Sequence, residues 1–315
     1  MTEFSDQSVE DALRLELAEG DAMIGTLGPV LRHLLATDDH SLFSDEIVAR
    51  VRGMIEDLAR QLLYAQAAAA GEEHPEGFVA QRIERLAGAL LGRPALLNHL
   101  HALTIEWQLA ERLHLRNGAD PVLSPLLQAL IASSDPDTAA AAMTALAAQA
   151  RFVQSLRRME LPLAELPGDL FHTALVALRV LSDAADAASA EAAGIALRAA
   201  FDESRSRLGL LSRLVTGMGG GALAALSADH AGIAIFLTAL AIGSGQDRDL
   251  TAIATNDRQL ARLALALRAT GLKPATVAQQ LAYFHPDAAP PAGLEHVRSD
   301  RAAALLGSSA PYPAA

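Results

Sequence analysis

The chain has 315 residues, 51% of them hydrophobic and only 4% aromatic, and its formal net charge is −12. An acidic chain is repelled by phosphate backbones, so this charge balance disfavours nucleic acid as a partner. The absence of cysteine excludes disulfides, thiolate nucleophiles and cysteine-ligated metals. Alanine and leucine are strong helix formers, and few segments alternate polar and apolar residues. The sequence therefore predicts an all-α fold.

The N-terminal quarter is predicted to contain three helices followed by a linker. Ser8 is expected to cap the first helix, which should end at Gly20-Asp21, and a second helix follows. A polar turn at 37–40 precedes Ser44, the expected cap of a long third helix. Small and acidic residues at 67–77 predict the linker. The third helix has an apolar stripe at helical spacing, made of Ile47, Val51, Met54, Leu58 and Leu62.

Prolines and polar caps mark the helices of the middle region. Pro94 and Pro121 are each expected to open a helix, and Asp135-Pro136 is a cap followed by a first helical residue. A helix is then predicted at 167–187. The next one is predicted to run without a break from 189 to 215.

The most apolar helix of the chain is predicted near the C-terminus, with Asp229 as its N-cap. Asn256 is expected to cap the following amphipathic helix, and Gly271 to end it in a left-handed conformation. Pro274 is expected to open another helix. A short helix is predicted at 299–306, with an irregular end after it.

This C-terminal region resembles a known family. The match is carried by Phe236-x-x-x-Leu240-Ala241 and then Leu260-Ala261-x-Leu263-Ala264-x-Ala266-Leu267-Arg268-Ala269-x-Gly271-Leu272-x-Pro274. The pattern is similar to the C-terminal part of a family of uncharacterised alphaproteobacterial proteins. The resemblance implies an all-helical protein with HEAT-like helix pairs and no assigned activity.

Roughly 12–14 helices are predicted, as an irregular array of antiparallel pairs. The extended connector from Leu161-Pro162 to Leu166-Pro167 suggests a boundary. It would separate an N-terminal helical region, 1–160, from a C-terminal one, 161–285, with a mostly irregular tail at 286–315. Alternatively, the connector is an ordinary inter-helix loop, and the two regions form one continuous domain.

Glu111 and His114 are the candidate metal ligands, because this spacing puts a carboxylate and an imidazole on one helical face. Di-metal helical bundles need a second such pair, and the nearest match is Asp169-x-x-His172. The helical projection places His172 on the solvent side. Ordinary surface residues are the alternative interpretation, and no metal or other cofactor is expected.

Two other candidate sites follow from clusters of polar residues. One is a polar pocket between helices, formed by His99, Glu106 and Trp107. The other is a patch for an anionic partner, formed by Arg198, Arg205 and Arg213. Acidic residues lie among these arginines, so a solvated face of ion pairs is the alternative. The glycine-rich stretch 217–221 lacks the lysine of a phosphate-binding loop and favours a flexible hinge.

The leading functional hypothesis is a non-enzymatic helical module that binds another protein, because no catalytic or cofactor constellation is evident. The alternative is an enzyme or ligand- or metal-binding protein with a pocket around Glu111 and His114. Homodimerisation through apolar helices is a third hypothesis. No secretory signal or transmembrane segment is evident in the sequence, so a cytoplasmic location is expected.

Overall fold

The computed structural model describes residues 6–36 and 45–309, and within them the helices are joined by loops and turns, with no strand. The predicted all-α class is confirmed. Short 3₁₀ turns supplement the α-helices. The α-helices are, in chain order, α1 Asp6–Ala36, α2 Asp45–Ala70, α3 Pro75–Leu91, α4 Pro94–Asn117, α5 Pro125–Ile131, α6 Pro136–Arg157, α7 Gly168–Leu181, α8 Ala187–Ala200, α9 Arg207–Gly217, α10 Ala228–Ser244, α11 Arg248–Ile253, α12 Leu260–Ala269, α13 Pro274–Phe284 and α14 Ser299–Gly307.

The chain divides into two compact units, each assembled from separate stretches of sequence. Unit 1 comprises Met1–Leu27, Ile105–Leu146 and Leu211–Ala315; unit 2 comprises Gly28–Thr104 and Ala147–Leu210. This division differs from the predicted one, because residue 160 lies inside unit 2. The chain passes between units within α1, α4, α6 and α9, where no change of composition marks a boundary.

The first helix differs from its prediction because α1 continues through Gly20, where a stop was expected. The Gln259 side-chain amide donates to the Gly20 carbonyl at 3.0 Å. A Cβ at Gly20 would lie 2.5 Å from the Gln259 Oε1 atom. A Cβ here would force the Gln259 amide to shift, so glycine permits this close helix contact and does not end the helix. The expected turn at 37–40 and the Ser44 cap lie outside the described residues.

In unit 2, α2 is the central helix and packs against α3, α7 and α8. Four of the five residues in its predicted apolar stripe, Val51, Met54, Leu58 and Leu62, are fully buried. The fifth, Ile47, is half-buried near the start of the helix. The predicted linker is shorter than expected, because α2 extends to its last residue at 70 and α3 begins at Pro75. Alanine favours helix, so the alanine run at 67–70 prolongs α2.

In unit 1, α10 is the central helix and packs against α5, α11, α12 and α13. Every residue from 233 to 241 is buried, as the apolar sequence predicted. Asp229 is not the N-cap. The helix is interrupted at Gly232, whose φ of 71° and ψ of 160° are non-helical, and Asp229 accepts a hydrogen bond from the Ser227 hydroxyl. A Cβ at Gly232 would lie 2.9 Å from the Ser124 Cβ, so α5 approaches the chain closely at this break.

Other caps were predicted with mixed success. Asp135 caps α6 as expected, accepting from the Thr138 amide at 3.1 Å. The helix expected at Pro121 begins only at Pro125, because Ser124 provides its cap. Asn256 caps a 3₁₀ turn that leads into α12, and α13 begins at Pro274.

The C-terminal tail is more ordered than the predicted irregular segment. The short helix expected at 299–306 is confirmed as α14, which packs against α12 in unit 1. A 3₁₀ turn at Leu294–His296 precedes it. The remaining residues, 310–315, lie outside the part of the chain that the structure describes.

Candidate anion-binding cleft

A break in unit 2 creates the candidate site, at a place where the sequence predicted one long helix from 189 to 215. Instead, α8 ends at Ala200 and α9 begins at Arg207. The Phe201 ring stacks on that of Phe171, with 4.0 Å between centroids and 6° between planes. The stacking holds the chain in an extended conformation directly after α8.

The residues after Phe201 form a tight turn rather than another turn of helix. The Asp202 carboxylate accepts from the Ser204 amide at 3.1 Å and caps the 3₁₀ turn Glu203–Arg205. The Ser206 hydroxyl accepts from the Gly209 amide at 3.1 Å at the start of α9. These side-chain acceptors satisfy amides that a continuous helix would have bonded internally.

Gly209 allows the turn to fold back onto α9. A Cβ at this position would lie only 2.4 Å from the Glu203 backbone oxygen. That distance is too short for any side chain, so the break depends on glycine. The sequence pattern gave no local signal of this contact.

The turn, the end of α6 and the 161–167 connector enclose a cleft of about 440 Å³. Three arginines line it: Arg151 from α6, Arg158 directly after the last residue of α6, and Arg205 from the 3₁₀ turn. Arg151 and Ser155 have i, i+4 spacing on one face of α6. Arg158 follows in the turn that ends the helix, where its amide donates to the Ser155 carbonyl at 2.9 Å.

Two side chains of α2 hold the connector that forms one wall of the cleft. The Asp57 carboxylate accepts from the Leu161 amide at 3.0 Å. The Gln61 side chain donates to the Leu161 carbonyl and accepts from the Leu163 amide, both at 2.9 Å. Burial raises the pKa of Asp57, against the lowering effect of the hydrogen bond from Leu161. This clamp fixes the backbone on which Pro162 lies.

Met159 joins α6 to this connector in a left-handed conformation, with φ of 58°. It is the one non-glycine residue with positive φ in the part of the chain that the structure describes. The left-handed conformation costs an L-residue about 1–2 kcal/mol. Gly53 of α2 accommodates it, since a Cβ there would lie 2.7 Å from the Met159 Cβ. Backbone strain of this kind is concentrated at functional sites, and here it lies between two cleft-lining residues, Arg158 and Pro162.

The carboxylates of the cleft are already occupied by other donors. The Glu165 side chain accepts from the Arg207 amide at 2.7 Å. The Asp202 side chain accepts from the amide of Ser204 and from its hydroxyl, the latter at 2.7 Å. Arg158 pairs with Glu160 at 2.7 Å, in a partly exposed contact.

The other two cleft arginines differ from Arg158. Arg151 and Arg205 are exposed, and within 6–36 and 45–309 neither makes an ion pair or a hydrogen bond through its guanidinium. The cleft thus presents two cations that pair with no described carboxylate, although the Glu165 and Asp202 carboxylates also line it. These two arginines favour an anionic ligand, because a guanidinium can form a bidentate pair of hydrogen bonds with a carboxylate.

A further cation, Arg207, is buried next to the residues that line the cleft. Arg207 is 1% exposed, and its guanidinium carbon lies 3.5 Å from the centroid of the Phe152 ring, which lines the cleft. Its Nη1 donates to the Gln149 side chain at 3.3 Å. A buried positive charge close to the cleft adds to the potential that attracts an anion.

The predicted arginine patch is only partly brought into this site. Arg205 lines the cleft, whereas Arg198 is exposed on α8 outside the lining. Arg213 belongs to unit 1. Arg151 was not singled out from the sequence, although its spacing with Arg158 could have indicated a basic helical face.

The predicted polar pocket of His99, Glu106 and Trp107 consists of buried residues of α4, and none of them lines the cleft. Glu106 accepts two hydrogen bonds from the Arg248 guanidinium, at 3.0 and 3.1 Å. Arg248 also donates to the Thr238 hydroxyl of α10 at 3.1 Å. This ion pair attaches α4 to the central helix of unit 1, and the contacts indicate a structural role for Glu106.

The candidate metal ligands lie near the end of α4. Glu111 is half-buried and His114 is exposed, and the His114 Nδ1 lies 2.9 Å from the Ala119 carbonyl oxygen. His172 is exposed on α7, as its helical position predicted. Throughout the described ranges, no three histidine, aspartate or glutamate side chains are grouped so as to hold a metal ion. The glycine-rich stretch leads into a 3₁₀ helix, Gly219–Leu226, that packs against α10.

Comparison with known proteins adds no further assignment: no family model, no curated protein and no solved structure matches the chain. Among the described residues, no single helix is both long enough and apolar enough to cross a membrane. Helix α9 and the 3₁₀ helix after it reach the required length and composition only together, and they are bent by 118°.

Proposed function

We propose that this chain is a non-enzymatic, cytoplasmic helical protein whose cleft in unit 2 binds an acidic segment of a partner protein. The observation that carries the proposal is that two arginines of one cleft, Arg151 and Arg205, form no ion pair with a described residue. The resemblance to HEAT-like helical proteins agrees with it, because stacked helix pairs commonly serve as binding surfaces. Membership of that family is part of the proposal.

The contrast with other arginines supports this choice of site. Arg82 pairs with Asp186 at 3.0 Å beside a second, smaller cleft of unit 2, and Arg248 pairs with Glu106. Those cations are already neutralised within the protein. A ligand carboxylate would have to displace a partner there, but would meet Arg151 and Arg205 directly.

The net charge of −12 opposes the approach of an acidic partner but does not determine its binding at this site. At physiological ionic strength, charges on the surface are screened beyond about 8 Å. A bound carboxylate would therefore respond to the local arginines more than to distant acidic residues. The overall charge should slow association, because it repels an acidic partner during approach.

The test is calorimetric titration of the full chain with a blocked oligoglutamate peptide, continued to millimolar concentration so that weak binding is detected. The matched oligoglutamine peptide is the ligand control. The glutamate peptide is expected to bind, with an affinity that falls as salt is added. The glutamine peptide should not bind.

Variants then locate the site. The Arg151→Ala/Arg205→Ala double variant is expected to lose about tenfold or more in affinity. The matched control is Arg157→Ala, which removes an exposed arginine of α6 that does not line the cleft. Failure of the glutamate peptide to bind would overturn the proposal, as would equal binding by the double variant and the control.

A further inference from the structure

The cleft also has an apolar component, supplied by Phe152, Pro162, Ala164 and Ala200. Pro162 and Ala164 belong to the clamped connector, and Ala200 is the last residue of α8. Ala164 and Ala200 are exposed and have small side chains. They therefore leave room for a bulky side chain from a ligand.

The apolar and basic residues come mainly from different elements. The three arginines are on α6, directly after it or in the 3₁₀ turn, whereas three of the four apolar residues are on the connector or at the end of α8. Phe152 is 4% exposed and is covered by Arg207, so it contributes little accessible surface. The accessible apolar part is thus centred on Pro162, Ala164 and Ala200.

We infer that the ligand is an amphiphilic anion: a peptide segment in which a bulky apolar side chain stands next to acidic residues. This inference rests on the proposed function and specifies its ligand. The apolar side chain would lie on Pro162, Ala164 and Ala200, and the adjacent carboxylates would meet Arg151 and Arg205.

Physical reasoning favours this combination over acidic residues alone. Pairs of exposed opposite charges contribute little affinity, because solvent and salt screen them and the side chains lose freedom. Removing an apolar side chain from water supplies the larger favourable contribution. A cleft with both components therefore selects ligands that use both, and the arginines set the position of the anionic group.

The experiment compares two blocked peptides of equal charge, Glu-Glu-Phe-Glu-Glu and Glu-Glu-Ser-Glu-Glu, by calorimetric titration of the full chain. The phenylalanine peptide is expected to bind about tenfold or more tightly, because burial of one aromatic side chain is worth at least that factor. Equal affinities would overturn the inference and leave the proposed acidic site intact. Binding of neither peptide would overturn both.

A pair of variants tests the location of the apolar contact. Ala200→Gln places a long polar side chain in the cleft and is expected to abolish the preference for the phenylalanine peptide. Ala199→Gln makes the same change at the preceding exposed residue of α8, outside the lining, and should keep it. Circular dichroism of both variants checks that α8 is retained. An undiminished preference in folded Ala200→Gln would contradict the inferred placement.

Discussion

Protonation of a buried histidine should make stability fall in weakly acidic solution. His101 lies on α4 within unit 2 and is 4% exposed. Burial lowers its pKa from the ordinary 6.5 to about 4, because the charged imidazolium is poorly solvated in the interior. The folded pKa is below the unfolded one, so the unfolded chain binds the proton more readily. The resulting stability is present above the unfolded pKa and is lost as pH falls towards the folded pKa.

The size of the effect follows from the two pKa values of His101. Relative to neutral pH, the free energy of unfolding should fall by about 1.4 kcal/mol at about pH 5.5 and by about 2.6 kcal/mol at about pH 4.5. The side chain is almost fully buried, so solvent screening does not reduce these figures much. A loss of this size is a substantial part of the roughly 5–15 kcal/mol that stabilises a typical domain.

Urea unfolding at about pH 7.5, 5.5 and 4.5, followed by circular dichroism, measures this loss. His101→Gln removes the titrating group, so its stability should fall less on acidification than that of the unsubstituted chain, by the amounts given above. His172→Gln, which replaces an exposed histidine of α7, controls for the general effect of losing a histidine. If His101→Gln and the unsubstituted chain lose stability in parallel, burial of His101 does not determine the acid sensitivity.

Three substitutions test the contacts that shape the two units. Met159→Gly should raise the free energy of unfolding by up to about 1 kcal/mol, because glycine adopts the left-handed conformation without strain. Met159→Ala keeps the Cβ and should not raise it. Equal effects of the two substitutions in urea unfolding would argue against strain. Glu106→Gln should lower the free energy of unfolding by about 3 kcal/mol, because it leaves the largely buried Arg248 guanidinium without its counter-charge. Adding Arg248→Met to the same chain should restore part of this loss. Gly209→Ala should lower the free energy of unfolding by about 1–3 kcal/mol and weaken acidic-peptide binding, because the new Cβ would displace the turn at Glu203. Unchanged stability and affinity would show that the turn tolerates a Cβ.

The helical class and much of the core could be predicted because those features depend on local pattern. The α2 stripe and the apolar run of α10 are buried as their spacing indicated. Asp135 caps α6 as expected, since a cap depends on residues a few positions away. Where local chemistry decides the outcome, a single sequence is informative.

The failures have a common physical cause, which is a contact between residues distant in sequence. Gly20 was predicted to end a helix because glycine often does so, but its role is to admit the side chain of Gln259, 239 positions away. The boundaries between the two compact units also have no local signal in the sequence. The chain passes from one unit to the other inside helices, where neither composition nor hydrophobic periodicity changes and no cap occurs.

The candidate site could not be predicted from the sequence for the same reason, since it also depends on contacts between residues distant in sequence. Its arginines were visible in the sequence, but a continuous helix from 189 to 215 would have placed Arg205 on a helical face with no cleft beside it. The break that moves Arg205 depends on Phe201 stacking on Phe171. The adjacent wall depends on α2 clamping the connector through Asp57. Because neither partner is a sequence neighbour of the segment it holds, a cleft lined by arginines without ion pairs becomes evident only once the helices are packed.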